Sequence, residues 1–303
     1  MKILITGSFP ITEVQRNELE KIGFEIELHK DECSAVNNPE IYDAVICNGL
    51  FLYNKIENFS NLKFIQLTSA GYDRVPLDYI KEHSIAINNA RGVYSIPMAE
   101  YALFGVLQIV KAGKFFYSNQ KSHLWQKNRE LSELYGKTVC IIGCGSVGTE
   151  CAKRFSAFGC RVIGVDISPR TDPNFETIIH LNDLFSALND AQVAVLTLPL
   201  TSETYHMFDD KAFSHMQHGA ILVNIARGAI VDTQSLIDAL ASKLSGAVLD
   251  VFEEEPLNSD CPLWDMENVL ITPHNSFVGE HNSERLWNVV FLALKDFTGE
   301  GKQ

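Results

Sequence analysis

The chain has 303 residues, room for two domains of ordinary size, and its 46% hydrophobic and 21% charged residues describe a globular, water-soluble protein rather than a disordered one. A net charge of -13 argues against a nucleic-acid footprint, which needs a basic surface. It leaves an anionic small molecule open, because a local arginine outweighs the global field inside a cleft. No apolar run approaches the roughly 20 residues that cross a bilayer, so no membrane partner is expected.

The first third alternates short strands and helices. Strand-like runs cover residues 2–6, 24–28, 43–47, 63–66 and 85–88. Between the first two lies a helix capped by Thr12, apolar at Ile11, Val14, Leu19 and Ile22, and stopped by Gly23. The opening run, residues 1–6, is too short for a signal peptide. Seven cysteines, an odd number without CxxC spacing, read as free and mostly buried thiols of a reducing, cytoplasmic compartment. Next comes an apolar helix over residues 97–111, opened by Pro97 and apolar nearly all round. It is either a core helix or one shared between domains or subunits. A second α/β series follows. Its strands are residues 138–143, 161–166, 193–198, 220–225, 246–251 and 269–272, with helices over 147–158, 182–188, 209–216 and 232–242. Most of these strands are apolar almost throughout, as expected where both faces of a parallel sheet are covered.

Within that series Gly143-Cys144-Gly145-Ser146-Val147-Gly148 is a GxGxxG placed between a strand and a helix, with Asp166 ending the next strand. In that context the pattern is a dinucleotide fingerprint. Gly143 permits the tight turn, Gly145 lets backbone approach a pyrophosphate, and Gly148 lets helix and strand pack closely. Asp166 is placed to accept from ribose hydroxyls and to repel a 2′-phosphate, which favours NAD over NADP. Arg170 has three readings: pairing with Asp166, lying in solvent, or accepting a phosphate.

Ligands of open parallel sheets bind beyond the carboxyl ends of the strands. Arg227, Glu255 and His274 follow three successive strands on that edge. A forked, permanently charged guanidinium suits a carboxylate beside a carbonyl. An imidazole can supply the proton that a carbonyl oxygen takes up as hydride arrives, and a carboxylate would stabilise the imidazolium and orient the ring. Taken singly, each also has a plain reading: a surface arginine, a member of the acidic run Glu253-Glu254-Glu255, and a core histidine. His215 and His218 stand three apart with nothing to complete a metal site, so no metal is expected.

The motifs resemble the D-isomer-specific 2-hydroxyacid dehydrogenases. The matching stretches are Ser69-Ala70-Gly71-Tyr72-Asp73, the run from Pro97 to Leu103, the fingerprint, Leu198-Pro199-Leu200-Thr201, Val223-Asn224-Ile225-Ala226-Arg227-Gly228, the LDVFEEEPL of residues 249–257, and Thr272-Pro273-His274. The resemblance implies that Arg227 binds carboxylate and carbonyl, that His274 is the acid/base and that Glu255 is its partner. It implies that the backbone at Ala70 and Gly71 holds the substrate carboxylate. It also implies cofactor contacts at Ser146, Val147, Pro199, Thr204, Ala226 and Asp250 beside Gly143, Gly145, Gly148 and Asp166.

The implied fold is α/β, with two Rossmann-like or flavodoxin-like domains, parallel sheets and an interdomain cleft. Residues 1–96 with 277–303 would form a discontinuous substrate-binding domain and residues 97–276 the NAD-binding domain. A homodimer through the cofactor domains is implied too. The stretch after His274 leaves no room for an added regulatory domain. Asn275-Ser276-Phe277 departs from the small residues and glycine that many members carry there, which bears on selectivity, as do Tyr53 and Tyr72 if they face substrate rather than pack. The expected activity is hydride transfer between NAD(H) and C2 of a small D-2-hydroxy or 2-keto acid. The alternative is a dinucleotide-sensing binding protein, like the corepressors of the same fold family. A formate-dehydrogenase-like enzyme is disfavoured because Glu255 stands where those pair histidine with glutamine.

Overall fold

The computed structural model describes residues 1–299, which form two compact units: residues 1–94 with the chain from Gly279 onward, and Ser95–Val278. In the first, β1 (Lys2–Thr6) leads through α1 (Glu13–Lys21) to β2 (Glu25–His29), β3 (Ala44–Cys47), β4 (Phe64–Leu67), α2 (Leu77–Glu82) and β5 (Ala86–Asn88). The second opens with α3 (Ser95–Val110) and α4 (Gly113–Lys121). There follow β6 (Thr138–Ile142), α5 (Ser146–Ala157), β7 (Arg161–Asp166), β8 (Thr177–His180), α6 (Leu184–Asp190), β9 (Val193–Leu196), α7 (Asp210–His215), β10 (Ile221–Asn224), α8 (Thr233–Ser242), β11 (Gly246–Leu249) and β12 (Val269–Ile271). The last helix, α9 (Asn282–Thr298), belongs to the first unit.

Both sheets are parallel throughout. The first runs β2-β1-β3-β4-β5, the flavodoxin-like order, and the second β12-β11-β10-β9-β6-β7-β8, the order of a dinucleotide-binding sheet with one more strand. Central strands β3, β4, β6, β9, β10 and β11 are buried at every position. Their largely apolar runs are what a sheet with both faces covered demands. In the first unit Leu286, Val290 and Leu294 of α9 join Ile3, Ile5, Ala44 and Phe64 in one core. In the second, Ala99, Ala102 and Val106 of α3 pack with Val139, Ile141, Val223 and Val248.

Thr12 caps α1, as its sequence predicts, and the structure adds Gln15 to complete a capping box. Several expected boundaries shift. The strands expected to reach Gly143, Leu198, Ile225, Val251 and Thr272 stop one or two residues sooner. Their apolar character continues into the turns that line the carboxyl edge, so hydrophobicity overruns the ladder. The helix expected to open at Pro97 begins at Ser95. Among the elements that escape the sequence pattern are the short helix α2, edge strand β8, only partly buried, and α4, which follows a left-handed Ala112 and carries a mixed polar surface.

Candidate active site

The second sheet reverses its winding between β6 and β9, and the loops after those strands meet there. Gly143 has φ 95°, a left-handed backbone that glycine accepts without strain. Any Cβ there would lie 2.7 Å from the backbone nitrogen of Leu198. A Cβ on Gly148 would run into the carbonyl of Gly143, so helix α5 sits directly on the turn. Gly145, the N-cap of α5, faces open space. The first-turn backbone N–H groups of a helix lack intrahelical partners, so the start of α5 at Ser146 and Val147 fits a pyrophosphate. Asp166 closes this cradle, accepting from the N–H of Cys144 at 2.7 Å and of Ser168 at 2.9 Å. Arg170 donates to the carbonyl of Cys144, which places its head at the glycine turn. Cys144 itself is buried, and burial pushes its thiol up to about 12, so it packs rather than reacts.

Across the sheet, Asn224, Leu249 and Ile271 lie in register on β10, β11 and β12. The chain segments carrying Arg227, Glu255 and His274 therefore leave the same edge. His274 Nδ1 lies 2.9 Å from Glu255 Oε2, and the other carboxylate oxygen accepts from the N–H of Phe252 at 3.1 Å. An ionised carboxylate can only accept, so Nδ1 carries the hydrogen and Nε2 is the ring's outward face. Gly228 rides on the next loop so closely that a Cβ would overlap the backbone of Phe252. The turn holding Arg227 is shaped by buried Asn224, whose side chain donates to the Arg227 carbonyl at 3.0 Å and accepts from the N–H of Ala226 at 3.1 Å. Arg227 Nη1 donates to the Ala226 carbonyl at 2.8 Å.

Asp250 is wholly buried and anchors the segment that bears His274. It accepts from Thr272 Oγ1 at 2.6 Å, from the N–H of Asn275 at 2.7 Å and from the N–H of Ser276 at 2.9 Å. Thr272 lies in turn 2.6 Å from the hydroxyl of Tyr101 on α3. Burial raises the pKa of Tyr101 despite that hydrogen bond. Thr204 is buried and spends its hydroxyl on its own loop, donating to the Pro199 carbonyl at 2.8 Å and accepting from the N–H of Thr201 at 2.7 Å. Ala70 and Gly71 belong to the first unit, at the carboxyl end of β4. Their carbonyls accept from Asn89 at 2.7 Å and from Ser69 at 3.1 Å. Tyr53 and Tyr72 of the same unit are exposed, and Phe277 stands edge-on to the His274 ring at 6.2 Å. Asn224 and Tyr101 are site-shaping residues that sequence reasoning missed. A polar residue inside an otherwise apolar run was the one signal for Asn224. Nothing local distinguishes Tyr101.

Residues 103–276 match the family model for the D-isomer specific 2-hydroxyacid dehydrogenase NAD-binding domain. The chain is 31% identical to a glyoxylate reductase of Korarchaeum cryptofilum, over 93% of this chain and 90% of that one. It is 33% identical to a D-lactate dehydrogenase of Staphylococcus aureus, over 78% and 75% respectively. A crystal structure of D-lactate dehydrogenase from Aquifex aeolicus, complexed with NAD and lactic acid, superposes with a TM-score of 0.81 at 27% identity, covering 98% of this chain and 96% of that one.

Proposed function

Because the chain belongs to the D-isomer specific 2-hydroxyacid dehydrogenases, and is an NAD-dependent oxidoreductase of that family, we propose that Arg227, Glu255 and His274 are its catalytic residues. We propose further that glyoxylate and pyruvate are its first candidate substrates, the acids implied by the names of its relatives. The observation that carries this reading is the 2.9 Å contact between His274 Nδ1 and Glu255, which commits one ring nitrogen and turns the other outward.

Bound NADH supplies the hydride. His274 holds a proton on Nε2 and delivers it to the substrate's carbonyl oxygen as charge develops there. Glu255 keeps the ring in register and stabilises its cationic form. Arg227 binds the carboxylate and carbonyl together, a task that suits a fork rather than a point charge. The turn at Ala70 and Gly71 of the first unit holds the carboxylate, and that unit acts as the substrate-binding domain. In the second unit the turn from Gly143 to Gly148, with Ser146 and Val147, cradles the pyrophosphate. Asp166 accepts from the ribose, and Pro199, Thr204, Ala226 and Asp250 line or support the cofactor.

Relatives named for reduction and dehydrogenation do not favour the binding-protein alternative. A homodimer is the assembly we propose, seated on the second unit around α3 and α4. Phe104, Phe116, Tyr117, Leu124 and Trp125 are exposed there, Trp125 at 98%. Such a concentration of apolar surface is what an interface covers. Among the described residues, no helix is long and apolar enough to cross a membrane.

A panel of 2-keto acids with NADH tests the activity. Oxidation of NADH with glyoxylate or pyruvate, giving the D-isomer where the product is chiral, is the expected outcome. No turnover with any 2-keto acid would overturn it.

A further inference from the structure

Glu253 stands two residues before Glu255, in a run of three acids that reads as solvated surface, yet both its oxygens are engaged. Oε1 lies 2.5 Å from Nε2 of His206. Oε2 accepts from the backbone N–H of Thr233 at 2.9 Å and from the Thr233 hydroxyl. Burial alone would raise the carboxyl, but the bonds from Thr233 and His206 overcome it and hold it below the usual carboxylate range.

His206 is fixed with equal care. Its backbone is left-handed at φ 48°, its N–H donates to the Ala229 carbonyl at 2.9 Å, and its ring stacks on Tyr205 at 4.0 Å. Its Nδ1 lies 3.6 Å from Asp232, which caps α8 through Ser235. Two residues on, Phe208 bridges to Val231. His206 thus comes from the loop after β9, Thr233 from the segment after β10, and Glu253 from the loop after β11. These three connections also carry Thr204, Arg227 and Glu255. Gly228, next to Arg227, lies against the backbone of Phe252 and Glu253 with no room for a Cβ.

We propose that His206 and Glu253 are positioning residues: their bond, together with Thr233, clamps three loops so that Glu255 meets His274 and Arg227 keeps its turn. Neither side chain touches the reacting atoms; each acts through Glu255 and Arg227. The proposal rests on the catalytic reading of Glu255. A displacement of about an ångström at such a site costs up to about a hundredfold in rate, so a loosened clamp registers in kcat.

A double-mutant cycle on kcat for NADH-dependent 2-keto acid reduction tests it, with NADH affinity followed by fluorescence. Glu253→Ala should lower kcat about tenfold or more and leave NADH affinity within about twofold. In a Glu255→Gln background the same change should cost less than about twofold, since what it positions is already lost. His206→Leu should behave like Glu253→Ala. His206→Gln, which can still donate to Glu253, should recover most of that loss. The leucine and glutamine pair carries the same cycle if Glu253→Ala does not fold. A full, additive loss in the Glu255→Gln background would overturn the clamp. So would a lowered Tm with kcat unchanged. If Glu255→Gln alone left kcat at the wild-type value, the catalytic reading of Glu255 would fail instead, and the two failures are distinguishable.

Discussion

His274 holds a left-handed backbone, φ 51°, which costs a residue with a side chain on the order of 1–3 kcal/mol and persists where its surroundings over-determine it. Here the surroundings are Asp250, whose carbonyl accepts from the His274 N–H at 2.7 Å while its carboxylate takes the N–H groups of Asn275 and Ser276. Asp250→Asn turns one acceptor into a donor facing a buried donor. A loss of about 1–3 kcal/mol is expected, read as a lower urea midpoint, together with a lower kcat as the His274 turn relaxes. Unchanged stability and kcat would show that the anchor is dispensable. At this scale the sequence singled out Arg227, Glu255 and His274 together, because they follow three successive strands on one sheet edge, and the structure brings His274 and Glu255 into contact. Asn224, Tyr101, His206 and Glu253 were not legible. Their roles depend on which backbone atoms two distant turns bring within reach, and Glu253 was hidden in an acidic triplet that reads as solvent-facing.

Burial made many elements legible, though the exposed edge strands β2 and β5 were read from their pattern as well. Strands covered on both faces announce themselves as unbroken apolar runs, and the capping box at Thr12 and the glycine turn before α5 mark their helices. Edge strand β8 and helix α4 lack that signal, since each buries a single residue and neither carries an unbroken apolar run. Connections between elements were the least legible part, and Glu32 shows why. It lies on the loop after β2, yet accepts from Thr6 Oγ1 at 2.5 Å, Ser8 Oγ at 3.1 Å, and the N–H groups of Asn48 at 2.7 Å and Gly49 at 2.6 Å. Burial works to raise its carboxyl, but these donors prevail and lower it. A carboxyl depressed in the folded state stabilises the fold above its unfolded pKa and loses that contribution as pH falls through the folded one. The gap in urea midpoint between wild type and Glu32→Gln should therefore be widest near neutrality and shrink as pH drops below about 4.3. A gap independent of pH would mean that the four donors do not discriminate charge.

At the scale of the whole molecule, two parallel sheets of different winding order share one chain, and the last helix belongs to the unit in which the chain began. The proposed homodimer predicts a solution mass of about twice 33.9 kDa by light scattering, and a monomer for Trp125→Arg with its fold intact. A wild-type monomer would remove the assembly without touching the chemistry.

That chemistry comes down to one proton. The most direct measurement is single-turnover oxidation of NADH by a 2-keto acid, wild type against His274→Gln, followed from about pH 6 to about pH 9. The expected result is a wild-type rate that falls as pH rises, a variant slower by about 10²–10⁴-fold, and NADH affinity unchanged between them. Equal rates in the two proteins, with chemistry limiting, would contradict the account.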